Sequence, residues 1–280
     1  ETVVTLTITF TPATGTAAVV SHEFLNNAGG TRTISRIFVD ASAGNDANNG
    51  LSLEQPLQTI RFARSKIRDG FADWLLLKNG DVFQEGTIGW ELRGRSKTEP
   101  LVITGYGIGP RPVLRETAIS YYWNTGFPVG FSLDYLTVVG LEFQGNYELN
   151  PAASANSTAI LLSGPMKGIV LENNILTGYS SGVNAQIKSH SADEVKTLSF
   201  RRNVVADNGH FGLLASEGNN ILLEGNVFDR NGYGGSGPTI LKHNVYLKQV
   251  DDVILRDNIF ARGANFGTKL SSDIPGGLTN

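Results

Sequence analysis

The second half of the chain repeats one short pattern of apolar and polar positions four times. Each copy places apolar residues two apart, then an Asn, then two further apolar residues. An apolar residue at every second position is typical of a strand that buries one face. The four copies are Ile169–Leu176, Leu198–Val205, Ile221–Phe228 and Val253–Phe260.

The Asn residues of the four copies lie 29, 23 and 32 residues apart. A repeat of this length predicts a solenoid, in which each unit buries its apolar face against its neighbours. An Asn at the same place in successive units can bond the turn backbone and the Asn residues above and below it. Four unrelated turn residues are the alternative, because Asn favours turns in general. The apolar positions repeat together with the Asn, and this favours the stacked arrangement.

This pattern resembles the asparagine ladder of right-handed parallel β-helices. The ladder would consist of Asn174, Asn203, Asn226 and Asn258. Leu141 stands at the same place in an earlier copy, so the ladder is predicted to begin at Asn174.

A second resemblance lies upstream, in residues 37–50 (IFVDASAGNDANNG) and 56–63 (PLQTIRFA). They resemble the amino-terminal entry of secreted pectate-lyase-like β-helix proteins, where a strand, a loop and a capping helix lead into the first coil. Ile60, Ala63 and Ile67 share one helical face, and Gly70 follows as a stop signal. A helix across the open end of such a fold would cover its unpaired edge.

The predicted fold is therefore all-β, a single-stranded right-handed parallel β-helix with an amino-terminal capping α-helix and an internal Asn ladder. The β-helix domain is expected over residues 37–280, and residues 1–36 form a separate strand or attachment segment. Residues 1–10 alternate in the manner of a half-buried strand. The last residues show no cap, so further coils beyond position 280 are expected.

Composition narrows the function classes. The 280 residues are 40% hydrophobic and include no Cys, which removes disulfides and thiolate chemistry. A net charge of −3 gives no general attraction to nucleic acid, so no nucleic-acid partner is predicted. No apolar run reaches the length of a membrane span, and no uncleaved signal peptide is recognisable. An exported protein would already have lost its signal.

Two residues before each ladder Asn stands a charged residue of alternating sign. Neighbouring strands lie roughly 4.8 Å apart, so these residues would form a row of exposed ion pairs with a structural role. The row consists of Glu172, Arg201, Glu224 and Arg256.

A second recurrent strand lies about twelve residues before each ladder Asn. Its inward positions are taken as Leu161, Val183, Leu213, Val245 and Thr268. Polar, basic and aromatic residues then gather on its outer face. The substrate-binding candidates on or beside this face are Asn184, Gln186, Lys188, His210 and Asn244, and the catalytic candidates are His243, Tyr246, Lys248 and Lys269. Register arithmetic places Tyr246 beside Leu214, with Lys269 on the following coil.

Such a face suits an extended anionic chain. β-Elimination on a uronic acid needs cations or calcium to neutralise the carboxylate, a base for the C5 proton and an acid for the leaving O4. Lys188, Lys248 and Lys269 are candidates for neutralisation, and His243 and Tyr246 for proton exchange. His243 is the first candidate for the base, because only His titrates near neutrality without help.

Two other places could carry chemistry. Asp40 and Asp46 could bind calcium, although a hydrogen-bonded turn is the simpler interpretation. Residues Tyr121–Trp123 are expected in a loop, where their rings could stack on sugars or pack on the loop itself.

Known hydrolase and epimerase motifs do not fit. Asp251-Asp252 and Gly209–Gly212 weakly resemble two motifs of β-helical polygalacturonases. Their order is reversed, Phe211 interrupts the second, and the remaining motifs of that family are absent. The Asp-Pro-His-Asp motif of β-helical alginate epimerases is also absent.

The resulting hypothesis is a secreted or cell-surface polysaccharide lyase that cleaves an acidic, uronate-containing polysaccharide by β-elimination and acts as a monomer. No cofactor is predicted with certainty, and calcium is the one considered. The alternative is a non-catalytic β-helix that binds carbohydrate or serves as a surface-structural protein or adhesin.

Overall fold

The computed structural model describes residues 2–10, 18–26, 34–122, 132–147, 157–189, 196–234 and 242–271. In chain order its elements are β1 (Thr2–Phe10), β2 (Ala18–Asn26), β3 (Arg36–Val39), α1 (Ile60–Arg64), β4 (Trp74–Lys78), β5 (Val82–Phe83), β6 (Thr87–Gly89), β7 (Leu101–Tyr106), β8 (Val113–Arg115), β9 (Ala118–Tyr122), β10 (Leu133–Asp134), β11 (Leu136–Val139), β12 (Glu142–Gln144), β13 (Thr158–Gly164), β14 (Met166–Lys167), β15 (Ile169–Glu172), β16 (Ile175–Thr177), β17 (Ser181–Ser189), β18 (Leu198–Arg201), β19 (Val204–Ala206), β20 (Phe211–Glu224), β21 (Val227–Asp229), β22 (His243–Arg256), β23 (Ile259–Ala261) and β24 (Phe266–Ser271).

From β3 onward the named strands pair in parallel, and all but two of them belong to the three long faces of the coil stack, called here sheets A, B and C. The two short strands β10 and β14 pair separately with each other. Sheet A contains β3, β4, β7, β11, β15, β18 and the second halves of β20 and β22. Sheet B contains β5, β8, β12, β16, β19, β21 and β23. Sheet C contains β6, β9, β13, β17, the first halves of β20 and β22, and β24. From β4 the chain visits sheets A, B and C in turn, so the fold is a parallel β-helix.

Strands β1 and β2 pair antiparallel with each other. The strand expected over residues 1–10 is therefore present as β1. The boundary between residues 1–36 and the β-helix stays a prediction.

The core lies between the three sheets. Inward residues of the strands are mostly fully buried, as Leu75 and Leu77 of β4 illustrate, whereas Val253 and Phe260 of the last coil are partly buried. Phe200, Phe228 and Phe260 stack on successive coils, with ring centroids 5.8 and 5.5 Å apart. Each such ring contributes about 1.5–3 kcal/mol when fully buried, so the interior column of side chains stabilises the coil stack.

Helix α1 occupies the position that the sequence indicated. The Thr59 hydroxyl accepts a hydrogen bond from the Phe62 N–H at 3.1 Å, which satisfies one of the free donors of the first turn. Ile60, Ala63 and Ile67 are buried in the same core as the strands.

A row of buried Asn side chains runs along the corner between sheets A and B. The Asn203 Nδ2 atom donates to the Leu171 carbonyl at 2.9 Å and to Asn226 Oδ1 at 3.1 Å. Asn226 repeats the pattern toward the Phe200 carbonyl and Asn258, at 2.8 Å each. At the other end, the Leu141 N–H donates to Asn174 Oδ1 at 3.0 Å. Each amide thereby ties three successive coils.

The charged row has the predicted register. Glu172, Arg201, Glu224 and Arg256 pair across neighbouring strands. Arg201 Nη2 lies 2.6 Å from Glu172 Oε2, and Arg256 forms an ion pair with Glu224. Glu172 is only 5% exposed and also pairs with Arg202, so this end of the row is buried rather than exposed.

For strand β13 of sheet C, the residue predicted to point inward is wrong by one position. Ile160, rather than Leu161, pairs with the inward Val183 and is buried. Leu161 pairs with Asn184 on the outer side. Strand β13 carries consecutive apolar residues, so its composition could not decide which of them faces the core.

We expect Asn226→Leu to lower the free energy of unfolding by about 1–3 kcal/mol, because the Phe200 carbonyl and the Asn203 N–H lose a buried partner. Denaturant unfolding measures the change. Asn49→Leu, the same substitution at an exposed Asn, should cost less because water replaces the lost bonds. Equal losses in the two variants would contradict the structural role of the buried row.

Candidate functional site

The outer side of sheet C carries one continuous row of paired residues. Each member is at least partly exposed, and its neighbours along the strand are buried except on the last strand, β24, where Leu270 is exposed. The row consists of Gly89, Ser120, Leu161, Asn184, Leu214, Tyr246 and Lys269. Tyr246 lies between Leu214 and Lys269, as the register arithmetic predicted. We call these residues the outer row of sheet C.

Tyr246 and the lysines beside it form a basic aromatic patch. The Lys269 Nζ atom lies 4.8 Å from the centroid of the Tyr246 ring, a cation–π arrangement. The Tyr246 hydroxyl is 3.0 Å from Ser271 Oγ. Lys248 pairs with Ser216 and Ser271 on the adjacent outer row. The structure thus brings together Tyr246, Lys248 and Lys269, and we call them the Tyr246 patch.

His243 does not reach the surface of this patch. Its exposed fraction is 0%, and its ring lies 5.5 Å from the rings of both Tyr246 and Phe266. The structure therefore does not bring His243 to the outer face with the other catalytic candidates. The cause was readable in the sequence, since His243 stands two residues before Val245 and shares its inward side. The imidazole packs against the Tyr246 ring in an edge-to-face arrangement.

Asn244 is also buried, with 0% exposure, and its expected place on the outer face is wrong. Its Oδ1 atom accepts from Asn231 Nδ2 at 2.9 Å. Asn231 Oδ1 accepts from Asn208 Nδ2 at 2.9 Å, and Asn208 Oδ1 accepts from the Tyr179 N–H at 3.1 Å. A second row of stacked Asn side chains therefore follows the corner between sheets B and C. Unequal spacing along the chain hid it from the sequence pattern.

Glycine makes room for this second row. A Cβ atom at Gly212 would stand 2.5 Å from the Asn244 carbonyl oxygen and 2.9 Å from Asn231 Nδ2. A Cβ at Gly182 would stand 3.3 Å from Asn208 Nδ2 and 2.6 Å from the Gly212 carbonyl oxygen. The two glycines begin their strands next to the Asn side chains and allow the backbones to approach.

His210 lies half-buried at the same corner. Its Nδ1 atom is 3.0 Å from Ser180 Oγ, and its ring packs 6.1 Å from Tyr147. Burial, with a smaller contribution from Lys242, lowers the pKa of His210 below 6.5. The imidazole is thus neutral near pH 7. The Phe211 ring lies between it and Tyr246, 6.4 Å from each.

The remaining candidates lie on β17, before the patch. Asn184 belongs to the outer row of sheet C, and its Oδ1 atom is buried without a hydrogen-bond partner among the described residues. Gln186 pairs with Ser163 and Ser216 on the adjacent row, and Lys188 is exposed. Two rungs, roughly 9.6 Å, separate Asn184 from Tyr246.

Asp40 and Asp46 are engaged by hydrogen-bond donors. Asp40 lies 2.5 Å from Lys78 Nζ and accepts from Ser42 and Ala43. Burial alone would raise the pKa of Asp40, but these bonds outweigh it and lower the pKa to about 2. Asp46 accepts from Gln58 and Thr59.

The described residues contain no group of three His, Cys, Asp or Glu side chains that could hold a metal. The hydrogen bonds of Asp40 and Asp46 are those of hydrogen-bonded turns, and calcium binding there stays a prediction.

The expectation that residues 121–123 form an aromatic loop is wrong for Tyr121. Tyr121 belongs to strand β9 with 0% exposure, so it cannot stack on a sugar. Burial raises the pKa of its hydroxyl to about 12. Trp123 lies outside the described residues.

Comparison with known proteins identifies the family. A model described as the right-handed β-helix region matches residues 132–274, just over half of the chain. The chain therefore belongs to the right-handed β-helix family, and the expected right-handed parallel β-helix fold is confirmed. A search of the curated proteins gave no significant match. Within the described ranges, no helix is long and apolar enough to cross a membrane.

Among solved structures, the GH136 lacto-N-biosidase from Eubacterium ramulus is similar with a TM-score of 0.53 and 16% identity, over 85% of this chain and 55% of that one. The pectate lyase Pel9A gives 0.49 and 16%, over 80% and 62%. A rhamnogalacturonan lyase gives 0.47 and 11%, over 80% and 66%. The chain spans just over half the length of the lacto-N-biosidase. At these identities the likeness concerns the fold alone.

The lowered pKa of His210 predicts a pH-dependent stability. Below pH 6.5 the unfolded chain binds a proton at this residue more readily than the folded protein does, so stability falls as the pH falls. His210→Gln removes the titrating imidazole, so this part of the loss of stability at low pH should be missing in the variant. Denaturant unfolding between pH 7.5 and roughly 5 measures it. A difference between wild type and variant that is constant over that range would contradict the assignment.

Proposed function

We propose that the protein binds an acidic polysaccharide along the outer face of sheet C and cleaves it by β-elimination at the Tyr246 patch. The observation that carries the proposal is the Tyr246 patch itself, in which the Lys269 ammonium lies over the Tyr246 ring and Lys248 stands two residues further along the same strand. A uronate carboxylate is attracted to the ammonium groups, and a sugar ring can pack on the outward apolar Leu214 next to the phenol.

The roles follow from the chemistry of the reaction. Lys248 and Lys269 neutralise the carboxylate, which makes the C5 proton easier to remove. The Tyr246 hydroxyl is the proton-exchanging group of the patch, and it takes part in removing the C5 proton or in protonating the leaving O4. A double bond forms between C4 and C5 as the C4–O4 bond breaks. His243 acts as a positioning residue through its contact with the Tyr246 ring.

Asn184, Gln186, Lys188 and His210 are proposed to contact further sugars along the same face. The carbohydrate-active character of the fold relatives agrees with this proposal, since the lacto-N-biosidase has the same coil architecture. Action on polysaccharide also implies a secreted or surface location, and the protein is proposed to act as a monomer. The stacked Asn row and helix α1 are proposed to serve as the ladder and the amino-terminal cap of the fold.

A non-catalytic carbohydrate-binding β-helix is the second candidate. One observation favours it: His243, whose ring contacts the Tyr246 ring, is buried and does not share the proton transfers at the surface of the patch. Tight binding without product would support this alternative.

Incubation with a panel of acidic polysaccharides tests the proposal, with the absorbance of the unsaturated product as the readout. Tyr246→Phe should lower kcat by ~10²–10⁴, the usual contribution of a general acid or base. Lys269→Ala should mainly weaken substrate binding, and the loss should be larger at low salt, because salt screens exposed charges.

A matched pair of control variants exists elsewhere in the fold. The Lys167 Nζ atom lies 5.6 Å from the ring centroid of Tyr135, at a different corner of the molecule. Tyr135→Phe and Lys167→Ala should leave turnover unchanged, as should Arg201→Ala in the charged row. Near-normal turnover in both Tyr246→Phe and Lys269→Ala would show that the Tyr246 patch is not the catalytic site.

A further inference from the structure

The outer face of sheet C contains a second concave site, at its amino-terminal end. A cleft of about 330 Å³ opens there between β6, β9 and the turns after β12 and β16. Small residues such as Ala118 and Ser120 line it. Its lining also includes residues with hydroxyl and amide groups, among them Thr87, Asn146 and Ser157. We call it the Glu116 cleft, after its one acidic residue.

Glu116 is the single charged side chain among the described residues that line this cleft. It is exposed, and its backbone has a φ of 49°, a left-handed conformation that a side chain disfavours. The Glu116 N–H donates to the Gln144 carbonyl at 2.6 Å, which holds this conformation in place. The neighbouring Arg115 bonds the Gln144 side chain at 3.3 Å and does not line the cleft.

Tyr179 forms a rigid wall of the cleft. It is 2% exposed, and its hydroxyl donates to the Thr117 carbonyl at 2.9 Å. Burial raises the pKa of Tyr179, and the nearby Glu116 charge adds to the effect. The Tyr179 N–H also bonds Asn208, the first member of the second Asn row. The wall is thereby fixed to the corner of the coil stack.

The Glu116 cleft and the Tyr246 patch belong to one continuous surface. Ser120 in the cleft and Tyr246 in the patch are members of the outer row of sheet C, four rungs apart. Four rungs correspond to roughly 19 Å. Midway between them lies Asn184, whose buried Oδ1 atom has no hydrogen-bond partner among the described residues.

The two ends of the row have opposite charge preferences. At the patch, Lys248 and Lys269 favour an acidic sugar. At the cleft, a carboxylate surrounded by hydroxyl and amide groups accepts hydrogen bonds from sugar hydroxyls, while it repels a second carboxylate.

From this arrangement we infer that the Glu116 cleft is a second sugar-binding site, selective for a neutral sugar, and that the ligand is an extended heteropolysaccharide containing both neutral and acidic units. The inference rests on the proposed function for the acidic end of the chain. It adds the substrate class: a mixed polymer rather than a uronate homopolymer.

Binding measured by affinity electrophoresis tests the inference. The probes are polygalacturonate and alginate as uronate homopolymers, and gellan, xanthan and rhamnogalacturonan as mixed polymers. The wild-type protein should bind at least one mixed polymer more tightly than either homopolymer. Glu116→Gln should weaken that binding about tenfold, the effect of one hydrogen bond to a charged group. The same variant should strengthen binding of the homopolymers, because the repulsion is gone.

Glu217→Gln is the matched control. Glu217 is also exposed and also left-handed, with a φ of 58°, but it does not line the cleft. Ser120→Trp, which fills the cleft from an outward position, should reduce mixed-polymer binding to the level of the homopolymers. The inference is overturned if Glu116→Gln changes binding no more than Glu217→Gln, if it changes both polymer classes in the same direction, or if homopolymers bind wild type at least as tightly.

The patch variants separate failure of this inference from failure of the proposed function. If Tyr246→Phe and Lys269→Ala impair turnover while the cleft variants behave as wild type, the inference fails and the lyase proposal stands. If only the cleft variants impair binding, the sugar site stands and the lyase proposal fails. Absence of binding to every probe would overturn both.

Discussion

Register between coils is the constraint on which the rest of this structure depends. Side chains alternate between the two faces of a strand, so a slip of one residue would turn every core residue outward. Buried Asn amides oppose such a slip at two corners. Each Asn bonds a backbone carbonyl and the next Asn, and these bonds form only when the coils are aligned. Leaving one of these buried groups without a hydrogen-bond partner would lower the free energy of unfolding by about 1–3 kcal/mol.

The second Asn row connects this constraint to the candidate site. Asn244 ends that row and lies two residues before Tyr246 on β22. Its bonds fix the start of the strand, while His243 packs against the Tyr246 ring. The first member of the row, Asn208, holds the Tyr179 backbone at the Glu116 cleft. One line of buried amides thus positions both ends of the outer surface of sheet C.

Charge is distributed differently over the three sheets. On sheet A and at the corner after sheet B, arginines pair with carboxylates of the adjacent coil, as Arg201 does with Glu172 and Arg262 with Asp229. On sheet C, Lys269 stands over an aromatic ring instead. A cation that is not committed to a carboxylate of the protein can attract one from a ligand. This contrast is the electrostatic reason for placing function on sheet C.

The sequence by itself determined the coil architecture, because apolar alternation and the recurring Asn are local patterns with one stable solution. It also predicted the alignment of Tyr246 with Leu214 and Lys269, since equal distances from the ladder Asn imply equal positions in parallel coils. The burial of His243 was likewise implied by alternation, because His243 stands two residues before the inward Val245.

Only the tertiary structure decided the surroundings of Asn244 and Glu116. Asn244 has the outward parity of Tyr246, yet Asn231 and the Gly212 gap draw its side chain into the corner. The Glu116 cleft is formed by residues from four coils, and no pattern along the chain records how such loops and strands enclose a space.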